Sequence, residues 1–305
     1  MASHKRVAES LVQTQAFQDL QEPTILASGQ LGIYYINAEK LCQDGGEYDK
    51  HKNNSQALIK HAIQMTREHP AFREVIDILA QDAKELLPLP NPTCAIAGGQ
   101  TRDWIFSGPV AYQLGLPHVS LYKNGVVDLI TKNGDRTGSL HLGRDPQALI
   151  ISDLITEGSS AYRTEDGIEK GWIPMLRRTG IRVNNLVAVV DRLQGARQML
   201  QEQRVDLHTK VEIDDDFLRE HSKYPERALE YSKDPTAWSE NYLRQNGALA
   251  LVQTFDPNGG KLPRAKAFLE RYQKVLEASH KLGPLDLAVN IKYGQHLKEI
   301  LGAKA

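Results

Sequence analysis

Cysteine is almost missing from this chain. Two residues in 305, Cys42 and Cys94, cannot build a disulfide framework or a zinc site, both of which need several thiols at short spacing. Cys94 stands in an apolar run and reads as a small core residue. An excess of charge of one sign is missing too: 37 Lys and Arg face 38 Asp and Glu, so the net charge is −1 and no basic footprint marks a nucleic-acid surface. No uninterrupted apolar run comes near the roughly 20 residues that span a bilayer. The start, Met1 to Arg6, is polar, and Val7, Leu11 and Phe17 follow at helical spacing instead of a continuous apolar signal core. These absences predict a cytoplasmic protein with no membrane and no nucleic acid among its partners. Internal repeats and low-complexity segments are absent as well, and 305 residues suffice for one large or two modest domains.

What is present is alternation. Short runs of β-branched and apolar residues at 93–97, 118–122, 148–151 and 186–190 predict strands, with helices at 104–114, 159–179 and 194–203 between most of them. That pattern predicts a parallel sheet with crossover helices and ligands at the carboxyl ends of the strands. Ahead of it, 4–20 reads as a helix and 55–87 as two helices broken at His69-Pro70. Asn124-Gly125 and Asn133-Gly134 flank an apolar stretch and predict a hairpin in place of a crossover helix. From about Asp214 the composition shifts to helices at 225–232, 236–246, 264–281 and 293–301. There Asp214-Asp215-Asp216 reads as a helix start, where carboxylates suit the positive end, and not as a metal cluster.

The most informative segment runs from Ala148 to Tyr162. An apolar strand ends near Asp153, and Thr156-Glu157-Gly158-Ser159-Ser160 turns the chain toward a helix. Gly158 lets backbone N–H groups approach an anion, the hydroxyls of Thr156, Ser159 and Ser160 add donors, and the helix start adds positive potential. Asp153 is then placed to accept hydrogen bonds from sugar hydroxyls.

The order strand, acid, apolar pair, Thr-x-Gly-Ser-Ser resembles the phosphoribosyl diphosphate (PRPP) motif of type I phosphoribosyltransferases. Ser152 stands where that family places the first of two acids, and Glu157 where a small residue follows the threonine. Ile25-Leu26-Ala27-Ser28-Gly29-Gln30 and Tyr34-Tyr35-Ile36-Asn37-Ala38 resemble the N-terminal substrate segment of the orotate branch, with Ala27 and Gln30 at the places of a lysine and an arginine. Gly98-Gly99-Gln100-Thr101-Arg102-Asp103 stands in the place of the diphosphate loop, and Ala111 to Pro117 is close to Ala-x-x-Leu-Gly-Leu-Pro. Lys123 matches a family lysine, and Val187 to Arg192 resembles the family's Asp-Arg strand end. The matches run in family order from Ile25 to Ile213.

The resemblance implies an α/β fold: a phosphoribosyltransferase-like parallel sheet flanked by helices over 1–213, with a hood segment over about 1–50 and a helical C-terminal extension over 214–305. It implies a pentosyltransferase of pyrimidine nucleotide synthesis that moves ribose 5-phosphate from PRPP to a nucleobase, orotate first, with Mg2+ and release of diphosphate, working as a cytoplasmic homodimer. Thr156, Glu157, Gly158, Ser159 and Ser160 would then hold PRPP with Asp153, Gly99 and Arg102. Asp153, Lys123 and Arg102 would be catalytic, the first on the ribose hydroxyls and the cations on the leaving diphosphate. Tyr34 and Tyr35 would flank the base or the sugar, unless they are core aromatics. No residue is assigned to the metal. Where the family has a mobile loop, Lys132, Arg136 and His141 read as solvated hairpin charges. Two alternatives stay open: a catalytically silent PRPP- or nucleotide-binding regulator, toward which Ala27, Gln30, Ser152 and Glu157 point, and a transferase for another base.

Overall fold

The computed structural model describes residues 2–26, 28–43, 46–131, 134–137 and 142–302. The readings of Ala27, Lys132 and His141 lie outside the described residues. The chain divides into two units, one of Met1–Phe17 with Asn37–Asp214 and one of Gln18–Ile36 with Asp215–Ala305. The division after Asp214 falls one residue from the boundary expected in the sequence, whereas Gln18–Ile36, expected in the first domain, groups with the C-terminal helices.

The first unit is built on a sheet of seven strands among the described residues: β1 Cys94–Gly99, β2 His118–Leu121, β3 Val127–Ile130, β4 Arg136–Thr137, β5 Gln147–Ile155, β6 Arg182–Asp191 and β7 Asp206–Glu212. Their order is β7-β6-β5-β1-β2-β3-β4. The pairs from β7 to β2 are parallel. The pairs β2–β3 and β3–β4 are antiparallel, so the predicted hairpin is there. It turns at Gly125, whose φ of +90° is open to glycine at little cost. Ala95, Ala97, Ala148, Ile150, Leu186 and Ala188 form one core with Trp172, Ile173, Leu176 and Leu200. The intervening Cys94, Ile96, Leu149, Ile151, Val187 and Val189 are buried as well, as strands covered on both faces require.

Three sequence expectations change here. The strand carrying Asp153 is longer than predicted and runs on to Ile155, so Asp153 lies within it and not at its carboxyl end. The helix predicted from 159 does not form there; the chain makes a small hairpin, Arg163–Glu165 with Ile168–Lys170, and the helix is only Trp172–Arg178. Asp166-Gly167, both at positive φ, is the hairpin turn that overrides the helical pattern. At the N-terminus the helix is Ala2–Gln13, stopped at Gln15 with φ +57°, and Phe17–Ile25 is a strand.

The second unit holds the ribbon Phe17–Ile25 and Leu31–Ile36 with the helices Pro225–Lys233, Pro235–Asn246, Leu262–Ala278 and Leu282–Tyr293. Its core gathers Ile25, Leu31, Leu243, Phe255, Phe268, Tyr272 and Leu276. The Tyr231 hydroxyl donates to the Leu31 carbonyl at 2.7 Å, and the Asp19 carboxylate accepts from Ser222 Oγ at 2.6 Å. These contacts explain why 18–36 groups with the tail. No helix among the described residues is long and apolar enough to cross a membrane.

Candidate active site

β5 and β1 lie side by side, and the segments leaving their carboxyl ends supply the site. After β5 the backbone makes one turn, with the N–H groups of Ala161 and Tyr162 donating to the Gly158 carbonyl at 2.9 and 3.0 Å. The N–H groups of Glu157, Gly158, Ser159 and Ser160 have no acceptor among the described residues, nor do the hydroxyls of Thr156, Ser159 and Ser160 have one. Four consecutive unclaimed amides in a turn form a concavity suited to an anion. Gly158 is left-handed with φ +80°, and a Cβ on it would stand 2.2 Å from the Met199 methyl. The helical positive end expected behind this turn is displaced to Trp172 by the small hairpin.

At the end of β1, the Gly99 N–H donates to Asp103 Oδ2 at 3.0 Å. Any Cβ on Gly99 would run into the Trp172 indole at 2.3 Å, so only glycine fits. Asp103 opens the helix Asp103–Leu114 and is buried. Its Oδ1 accepts from Ser152 Oγ at 2.9 Å and from the Asp153 N–H at 3.0 Å. One carboxylate thus ties the loop after β1 to Ser152 and Asp153 of β5. Burial first, and then the Asp103 charge, hold the Asp153 carboxyl well above the usual carboxylate range, while Arg102 pulls the other way. Burial raises Asp103 too, against its hydrogen bonds.

Arg102 is half-buried; its Nε donates to Glu39 Oε2 at 2.9 Å and its guanidinium lies 5.8 Å from the Tyr48 ring centroid. Burial pushes the Tyr48 hydroxyl up, opposed by Arg102 and by a hydrogen bond with Thr101. Gln100 Oε1 accepts from the Lys123 N–H at 3.0 Å, which fixes where the exposed Lys123 leaves β2.

No protein-family model matches the chain. It is 24% identical over 211 residues to the orotate phosphoribosyltransferase of Leptospira biflexa, an alignment covering 67% of this chain and 93% of that protein. It is 28% identical over 123 residues to the adenine phosphoribosyltransferase of Nostoc punctiforme, covering 37% of this chain and 70% of that protein. The chain is similar to type I phosphoribosyltransferases. The crystal structure of orotate phosphoribosyltransferase from Aeropyrum pernix, 20% identical, superimposes with a TM-score of 0.45 over 70% of this chain and 98% of that one.

Against the phosphoribosyltransferase pattern, the structure brings Asp153, Gly99 and Arg102 to neighbouring strand ends, with Thr156–Ser160 following Asp153 on the same strand exit. Tyr34 and Tyr35 belong to the second unit, where Tyr34 is 2% exposed and packs edge-on against Tyr231 at 5.6 Å. In that unit Gly29 lies under the helix Leu262–Ala278, its Cβ position 2.4 Å from the Ala267 carbonyl carbon, and Gln30 Oε1 accepts from Arg271 at 2.9 Å. A cation from the tail thus reaches Gln30, where the family has its own arginine. Sequence reasoning missed Asp103, Glu39 and Tyr48. Asp103 was visible as an acid four residues after Gly99 at a predicted helix start; Glu39 and Tyr48 had no local signal.

A divalent cation can be tested against these donors. No three His, Cys, Asp or Glu side chains converge among the described residues. Asp103 has both oxygens engaged, whereas the raised Asp153 carboxyl is the kind that a nearby cation would return to the ionised form. Mg2+ keeps several waters and takes one or two carboxylates plus substrate phosphate oxygens, so Asp153 fits it as a single protein ligand.

Proposed function

We propose that this protein transfers ribose 5-phosphate from PRPP to a nucleobase nitrogen and releases diphosphate. The observation that carries the reading is the run of four unclaimed amides at 157–160, on the same strand exit as the Asp153 carboxyl. Phosphate on that run and ribose hydroxyls on Asp153 would fix the sugar. Arg102, braced by Glu39 and Tyr48, and Lys123 would then face the charge that builds on the leaving diphosphate. Bound at Asp153, Mg2+ would neutralise part of that same charge. Asp103 holds the two strand ends in register through its three hydrogen bonds.

For the acceptor we propose orotate before adenine. The alignment with the orotate relative takes in 67% of the chain, against 37% and 53% for two of the adenine relatives, which supports this order. The test is product analysis: PRPP, Mg2+ and either orotate or adenine are incubated with the protein and the nucleotides separated by chromatography. Orotidine monophosphate alone supports the proposal. Adenosine monophosphate alone reassigns the acceptor, and no nucleotide from either overturns the orotate and adenine readings together.

A further inference from the structure

The hairpin that replaces the first turns of the predicted helix buries almost nothing. Five of its six strand residues are exposed and the sixth is half-buried, with Ile168 59% exposed, so it adds little to the core. Its contacts run back to the turn it grows from. Just past its second strand, the Trp172 N–H donates to the Ser160 carbonyl and the Ile173 N–H to the Ala161 carbonyl, each at 3.0 Å. Gly171 permits that return: its φ is +112°, and a Cβ on it would stand 2.6 Å from the Ala161 carbonyl oxygen. From the first strand, Arg163 Nη1 donates to the Ser159 carbonyl at 3.1 Å.

A peptide unit is planar, so a carbonyl and the N–H that follows it point in opposite directions from one rigid plate. Holding the carbonyl therefore fixes where the next amide points. Of the four unclaimed amides at 157–160, that of Glu157 is aimed through the Thr156 carbonyl, which accepts from the Ala196 N–H at 3.2 Å. The Ser159 amide is aimed through the Gly158 carbonyl, which accepts from the N–H groups of Ala161 and Tyr162. The Ser160 amide is aimed through the Ser159 carbonyl, and there the holder is a side chain, Arg163. That side chain is itself steadied: Arg163 pairs with Lys170 across the hairpin, and its Nε lies 3.6 Å from Glu165 Oε2.

We infer that Arg163 is a positioning residue for the phosphate turn: by gripping the Ser159 carbonyl it turns the Ser160 N–H toward the bound anion, and the hairpin is the arm that carries it. Without that grip the Ser159–Ser160 plate must be ordered by the ligand itself, which costs affinity. The inference rests on the reading of 157–160 as the phosphate site.

The test is calorimetric titration of the full chain with PRPP and Mg2+, at low and at high salt, for the wild type, Arg163→Ala, Arg163→Lys and Arg178→Ala. Arg178 is the control, a cation beside the same hairpin whose Nη1 donates to the Glu169 carbonyl at 3.1 Å and not to the turn. Arg163→Ala should bind PRPP on the order of 10-fold more weakly, by the same factor at both salts, because an aimed amide is lost and not a screened charge. Arg163→Lys, which keeps an N–H donor, should lose less, and Arg178→Ala should stay within about threefold of wild type. In the amide NMR spectrum of the ligand-free chain, Arg163→Ala should shift Ser160 while Glu157 and Ser159 keep their positions, and Tm should stay at the wild-type value because the side chain is exposed. Wild-type PRPP affinity in Arg163→Ala would overturn the positioning role and leave the phosphate turn standing. A loss that vanishes at high salt, or an equal loss in Arg178→Ala, would assign the effect to charge and overturn it as well. Shifts spread over the whole turn, or a lowered Tm, would make Arg163 merely structural. No PRPP binding by the wild type would overturn the phosphate turn and this inference with it.

Discussion

Asp103 is the residue on which the candidate site turns, and replacing it tests that directly. In Asp103→Ala the buried N–H of Gly99 and the half-buried N–H of Asp153 lose their acceptor, while Ser152 Oγ keeps a second one in the Leu154 carbonyl at 3.3 Å. An unsatisfied buried donor costs about 1–3 kcal/mol, so the variant should lose about 2–6 kcal/mol. At about 2–4 °C per kcal/mol, Tm should drop by roughly 4–24 °C. Asp103→Asn keeps one oxygen for two of the donors and places an amide against the Gly99 N–H. It also removes the charge that helps to raise Asp153. The folded pKa values of this carboxyl pair lie above the usual 3.8. Their contribution to stability is therefore fully present below the unfolded pKa and is lost as pH rises through the folded values. The Asn variant escapes that loss, and its net cost at neutral pH should be only about 0–2 kcal/mol. If Asp153 must be ionised to accept ribose hydroxyls, PRPP affinity rises with pH through its raised pKa, and that rise must move to lower pH in Asp103→Asn. The assays are urea unfolding of both variants and PRPP titration across pH. An Ala variant as stable as wild type, or an Asn variant whose rise stays in place, would refute the role given to Asp103.

Other perturbations follow from the same geometry. Gly158→Val should abolish PRPP binding measured by calorimetry, because a β-branched residue is strained at the left-handed φ of +80° and distorts the amide run; unchanged binding would remove the phosphate turn from the site. Tyr48→Ala should lower kcat/KM for PRPP by roughly 3- to 10-fold through loss of the ring beside Arg102, and Tyr48→Phe by less; equal effects would contradict the cation–ring account. His118, 2% exposed between Ser107 and Ser120 at 2.8 and 3.0 Å, is pushed down to about 3 by burial. It stays neutral in the fold, so its contribution is intact above the unfolded pKa of about 6.5 and is lost as pH falls toward 3, at up to about 1.4 kcal/mol per pH unit. Urea unfolding from pH 7 to 4 should show this slope in the wild type and not in His118→Gln; identical slopes would contradict it.

The sheet was legible because buried parallel strands read as short apolar runs, and 94–99, 118–121, 147–155 and 182–191 all lie where such runs stand. The antiparallel edge was legible from Asn124-Gly125. What local pattern could not show was competition. The helix expected from Ser159 is delayed to Trp172 by the Asp166-Gly167 turn, and Phe17–Ile25 carried too few buried positions to announce a strand. At the site, the turn 156–160 was visible in its residue types, whereas the reach of Asp103 to Ser152 was not. The sequence puts Ser152 where an acid is expected, and only the fold shows that Asp103, from another strand's exit, reaches the hydroxyl of that serine. Tyr34 was open between flanking the base or the sugar and a core aromatic, and its burial against Tyr231 at 5.6 Å, nearly 200 positions away in sequence, is invisible to any window.

Calorimetric titration with PRPP and Mg2+, followed in the same sample by orotate and a diphosphate-release assay, tests the central claim most directly. The account predicts that PRPP binds, and that diphosphate appears only after the base is added. Binding without release on any nucleobase would contradict the transferase and leave a silent binder; no binding at all would contradict the phosphate turn itself.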